Sequence, residues 1–224
     1  MNASIIRSLV LKDWHLLRWP IVFYVVASGI ALALCGTGGT LSFYAGAILL
    51  ITVVISMAIH IVMVTIANER TEKTLPFVMS LPITAMDYTT AKLVANGTLF
   101  LIPWALISGA ALLLVAARPE LPDGLIPWTC AVMAELAVSY FFLMAVSIVS
   151  ESLPWTIVAM VLGNLGFQAF LYYVSNIPSI ARAMKGEAIV WNGEIATILI
   201  LETVAIVAMI GLTFWAQSRK RDFI

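Results

Sequence analysis

The chain has 224 residues, 62% of them apolar and only 11% charged. Soluble domains run at roughly 45–50% apolar and about 25% charged, so a water-soluble globule is excluded and lipid must be the solvent for most of the chain. Twelve basic and twelve acidic residues cancel, which leaves no basic footprint for nucleic acid as a partner.

Residues 4–18 precede the first long apolar run. At roughly 100° per residue, Ile5, Ile6, Leu9, Val10, Leu16 and Leu17 share an arc of about 140°. Arg7, Ser8, Lys12, His15 and Arg18 take the other side. Leu11 and Asp13 are misfits on this wheel. The pattern predicts an amphipathic interfacial helix, cations toward the headgroups. It serves as an anchor, or also as part of a surface for a partner. The segment is charged and lacks a small-residue cleavage site, so no cleavable signal peptide is expected.

The charges then parse the spans. Residues 19–68 carry no charge. A hydrocarbon core of about 30 Å needs roughly 20 helical residues, so this stretch holds two spans. The break is Gly36-Thr37-Gly38-Gly39, which is turn material. The predicted spans are 20–34, 41–67, 93–117, 125–149, 155–174 and 195–217. Pro103 is expected to kink the third. Ser150-Glu151-Ser152-Leu153-Pro154 reads as a short turn with a serine cap and a proline in the first helical turn. An outer loop covers 175–194. The fold class is therefore an all-α polytopic membrane protein, one domain over 1–224.

Six spans put both ends on one side. With the N-terminus inside, that face collects Arg7, Lys12, Arg18, Arg70, Lys73, Lys92, Arg219, Lys220 and Arg221, against Arg118, Arg182 and Lys185 outside. The bias predicts N-in, C-in. Trp14, Trp19, Trp155 and Trp215 near the inner boundary, with Trp128 and Trp191 near the outer one, form aromatic belts consistent with it.

The cytoplasmic segment 68–92 carries the most information. An ion-dense start, Glu69-Arg70-Thr71-Glu72-Lys73, is followed by an apolar knob over 75–82. Such a knob needs a partner or the bilayer. Thr84 with Asp87 has the form of a helix start for the third span.

Glu69-x-x-x-Lys73-Thr74, then Leu81-Pro82-Ile83-Thr84, then Lys92 at the foot of the third span resembles the permease subunits of ABC-2 type. These are the membrane halves of ABC transporters with the type V exporter fold. The connecting helix before span one, the six spans and the outer loop between spans five and six extend the resemblance over nearly the whole chain. Lys73 departs from the pattern, where glycine is common. The resemblance implies a small exporter permease paired with a separate ABC ATPase, and with a second copy or a related permease. ATP and Mg would belong to that ATPase, with no cofactor in this chain. The location would be the cell membrane, the inner or plasma membrane. Phe77, Met79, Leu81 and Pro82 would supply apolar anchors, and Glu69, Arg70, Glu72 and Lys73 orienting charges at the rim of the ATPase contact.

Ionisable groups inside spans are costly and need protein or a cavity. Glu135 and Glu202 are such groups, with Asn164 and Gln168 as further polar residues. They are candidates for a path favouring cationic or amphipathic cargo, or for polar contacts that only specify packing. His60 lacks a second ligand at metal spacing and reads as packing. Cys35 and Cys130 both fall toward the outer side, and their pairing is open. The sequence has no G-x-x-x-x-G-K-[ST], H-E-x-x-H or G-x-S-x-G. An enzyme in its own right is not expected. Two alternatives stay open: a lipid-modifying membrane enzyme using Glu135 and Glu202, and an ATP-driven complex that moves no cargo.

Overall fold

The structure, a computed structural model, describes residues 3–71 and 84–219. The described residues are helical, with no strand. Helix α1 is Ala3–Cys35, α2 Thr40–Val62, α3 Asn68–Thr71, α4 Ala85–Ala117, α5 Leu125–Ser150, α6 Leu153–Ser175, α7 Pro178–Ala183 and α8 Gly193–Ser218. Six stretches are long and apolar enough to cross a membrane, which makes this a multi-pass membrane protein.

Three local features differ from expectation. The segment 4–18 and the first span form one continuous helix with Pro20 inside. Proline removes only one backbone bond, and the flanking turns of good helix formers carry the helix through. Pro103, where a kink is expected, lies inside helix α4. The loop 175–194 contains a short helix, α7, with Pro178 in its first turn. Ser152 holds the N-cap position of α6, but its side chain makes no cap hydrogen bond. Its carbonyl instead accepts from the Thr156 backbone and hydroxyl. The start of α4 is as expected: Thr84 and Asp87 form a reciprocal capping box.

Helix α5 is the most buried of the six and packs against α8, α6, α4 and α2. Helix α1 packs on α2 and α4 at the other side of the bundle. Lipid tails are as apolar as leucine, so close packing and hydrogen bonds hold helices together. Gly46 permits the α1–α2 approach: a Cβ there would lie 2.7 Å from the Ala31 carbonyl oxygen and 2.6 Å from Cys35 Sγ. Phe100 of α4 and Tyr140 of α5 stack at 3.9 Å. Single side-chain donors then tie helix to helix. Trp14 Nε1 donates to Thr98 Oγ1 at 3.0 Å, Trp104 Nε1 to the Met133 carbonyl at 2.8 Å, and Gln217 Nε2 to the Ile148 carbonyl at 2.7 Å. Each such link contributes about 0.6 kcal/mol in a bilayer.

Between α2 and α3 the helix widens into a π-turn, Met63–Ala67. Thr65 sits in it, wholly buried. Its hydroxyl lies 2.7 Å from the Ile61 carbonyl and 2.6 Å from Asn96 Oδ1. A threonine bonding back to its own helix while engaging a neighbour gives this widening a local cause.

Candidate functional site

The longest polar constellation lies where α1, α3 and α4 meet, at both edges of the segment 72–83. The capping box fixes the first turn of α4, and Tyr88 and Lys92 follow one turn apart on one face. Both are buried, as are Asp13 and Glu69. The Lys92 ammonium bridges Asp13 Oδ2 at 2.9 Å and Glu69 Oε2 at 2.8 Å. Lys12 pairs with Glu69 Oε1 and stands 3.4 Å from Asp13 Oδ1. Tyr88 donates its hydroxyl to Glu69 Oε2 at 3.1 Å. Among the described residues two acids face two lysines, and such pairing is what lets charges be buried.

Polar contacts continue into the bundle. Asn96, one turn beyond Lys92, donates Nδ2 to the Lys92 carbonyl at 3.0 Å and takes the Thr65 contact on its Oδ1. Its own carbonyl accepts from the Tyr140 hydroxyl at 2.7 Å. Thus α1, α2, α3, α4 and α5 are joined by one chain of polar contacts that starts beside the 72–83 segment.

Burial by itself would raise the Glu69 carboxyl, but Lys92 and Lys12 outweigh it and hold the group below its ordinary 4.5. A carboxyl depressed by folding adds stability that is full above its unfolded value and is lost as pH falls through the folded one. The solubilised chain should therefore hold its thermal midpoint from neutral pH down to about 4.5 and lose stability below it. Glu69→Gln should flatten that acid limb. An unchanged limb in melting curves of the variant would reject the assignment.

Glu69, expected as an orienting charge at the rim of an ATPase contact, is 9% exposed, and two lysines and a tyrosine converge on it. The Arg70 side chain and Glu72, Lys73, Phe77, Met79, Leu81 and Pro82 lie outside the described residues. Asp13, a misfit on the wheel of the first helix, is the residue that sequence reasoning missed. It falls in the middle of the apolar arc, and an acid there signals a buried partner; Lys92 is that partner.

Within the spans, Glu135 lies on α5 and Glu202 on α8, two helices that pack against each other. Glu202 is 6% exposed, and neither of its carboxyl oxygens has a hydrogen-bond partner among the described residues. Asn164 and Gln168 do not extend this pair into a visible path. Asn164 donates back to the Met160 carbonyl of its own helix at 2.9 Å, and Gln168 is exposed on α6. His60 Nδ1 lies 3.1 Å from the Tyr24 hydroxyl, a packing contact between α1 and α2. Cys35 and Cys130 are both free thiols. Among the described residues, no cluster of three or more His, Cys, Asp or Glu side chains could hold a metal ion.

No family model, no curated protein and no solved structure matches this chain.

Proposed function

We propose that this chain is the membrane-spanning permease subunit of an ABC-2 type exporter, driven by a separate ATPase. Both ends face the cytoplasm, as the bias of basic residues requires. The first turns of α1 lie along the inner interface. Two copies, or one copy with a related permease, pair with two ATPase subunits. Cargo is an amphipathic peptide, drug or lipid-like molecule moved outward or out of the inner leaflet.

One observation carries the reading. The Lys12–Asp13–Glu69–Lys92 network joins the first three spans, and in sequence Glu69 precedes and Lys92 follows the 72–83 segment. Closure of an ATPase pair must act on such a segment and be passed to several spans together. Charges at close quarters have few alternative arrangements, so the base of the segment moves as a unit. In this scheme Phe77, Met79 and Leu81 dock into the ATPase, with Arg70, Glu72 and Lys73 around them. Glu69 transmits the motion from inside the bundle.

The test is a pull-down of the tagged chain from native membranes in mild detergent, with ATP turnover assayed on the eluate. A co-eluting P-loop protein is expected, with its turnover lost in the Phe77→Ala/Leu81→Ala double variant while membrane insertion is unchanged. A chain that elutes alone, without turnover in detergent or nanodiscs, would overturn the reading.

The packing of α5, with Glu135, against α8, with Glu202, favours a second reading, a lipid-modifying enzyme with these two as acid and base. Lipid turnover by the purified chain alone, abolished in Glu135→Gln, would establish it in place of the permease.

A further inference from the structure

At the end of the bundle opposite the charge network, the helices stand apart. The turn after α1, the turn after α4 and the segment after α7 surround a cavity of about 520 Å³. Close-packed interiors hold few voids larger than a water molecule. This volume falls within the ~300–1,000 Å³ typical of small-molecule sites. Its walls are apolar, including Leu50 and Ile51 of α2, Leu114 of α4 and Trp128 of α5. Water would find few partners against such walls, so the cavity suits hydrocarbon better than solvent.

Charge is confined to the rim. Arg118, Lys185 and Glu120 border the cavity, an excess of one cation. The Arg118 guanidinium donates to the Gly36 carbonyl. That bond anchors it over the turn after α1, and a guanidinium carries further N–H donors beyond the one used here. Lys185 enters no ion pair with a described residue.

The rim is also fixed in place. Gly124 N donates to the Gly186 carbonyl at 3.0 Å. A Cβ at Gly124 would fall 1.8 Å from the Ala183 carbonyl oxygen. Only glycine lets the start of α5 lie this close to the segment after α7. Met184 and Lys185 are thereby held at the edge of the cavity rather than on a free loop.

We propose that this cavity binds one amphiphile: its apolar chain lies between α2, α4 and α5, and its anionic headgroup rests against Arg118 and Lys185. An apolar chamber with a net cationic rim matches a lipid-like molecule bearing a phosphate or carboxylate. It opposes a cationic amphiphile of the same length. The inference goes beyond the permease reading and stands whether or not the chain meets an ATPase.

The test uses Trp128, which lines the wall, as an internal reporter. The full chain in zwitterionic nanodiscs is titrated with 12-bromododecyl phosphate, whose bromine quenches tryptophan on contact. Saturable quenching is expected, and its saturable component should vanish in Trp128→Phe. Charge reversal of Lys185 to glutamate should weaken the apparent affinity about tenfold, as expected for one desolvated charge contact. The 12-bromododecyl trimethylammonium cation should bind at least about tenfold more weakly for the same reason. Ala47→Phe, which fills the cavity from α2, should abolish the effect with the thermal midpoint retained. Quenching that does not saturate, or that persists unchanged in Trp128→Phe, would overturn the proposal. Equal binding of anion and cation would also overturn it, as would competition by inorganic phosphate equal to that by dodecyl phosphate.

Discussion

Lys92→Met should destabilise the folded chain by about 3–5 kcal/mol, the usual cost of removing one partner from a buried ion pair. Lys92 is 2% exposed, and its ammonium lies between Asp13 and Glu69. Methionine fills the same volume but carries no charge. Both carboxylates would stay buried without the ammonium that bridges them. Lys12 cannot replace Lys92: its side chain is 45% exposed, and it stands against the other oxygen of each acid. Lys12→Met should therefore cost about 1 kcal/mol or less, as exposed pairs do. The triple change Asp13→Asn, Glu69→Gln and Lys92→Met removes the three buried charges, leaves the half-exposed Lys12 to solvent, and should recover most of the loss. SDS-induced unfolding of the solubilised chain reads all three. Equal costs for Lys12→Met and Lys92→Met would show that the network is a solvated surface pair and would remove the mechanical link between the first three spans.

Much of the architecture was legible because lipid imposes a coarse code. A span must be apolar over about 20 residues, and only charges, glycines and prolines interrupt it. Helix starts were legible where the cap is local, as at Thr84 and Asp87. Features that depend on a distant partner were not. In the π-turn at Met63–Ala67, Thr65 bonds back to Ile61 but also meets Asn96, 31 residues away, and that second contact has no local signature. The short α7 was hidden because a six-residue helix leaves no periodicity to read. Asp13 shows the boundary between the two cases. Its position in an apolar arc was visible, but its buried partner, Lys92, is 79 residues away in sequence. Glu135 and Glu202 were singled out one by one from their cost in lipid. That α5 packs against α8, and so brings them together, follows from tertiary packing alone.

Glu202→Leu should raise the unfolding free energy by about 1–3 kcal/mol, the penalty a buried polar group carries when it lacks hydrogen-bond partners. Glu202 is 6% exposed and both carboxyl oxygens are unsatisfied among the described residues. Glu135, on the helix packed against α8, is a second acid rather than a counter-charge. Stability alone would favour an apolar residue here. Glu202→Gln retains an amide in the same space and should gain less than leucine does. The pair of variants separates a packing role from a functional one, because packing and transport respond in opposite directions. If the acids line the path of a cationic or amphipathic cargo, Glu202→Leu should be more stable in SDS unfolding yet lose export in reconstituted vesicles. ATP turnover in the assembled complex should persist. Export retained at the wild-type rate in a stabilised Glu202→Leu chain would exclude Glu202 from the path. A destabilised variant would show instead that the carboxyl is satisfied in the bilayer, by water or by a second subunit.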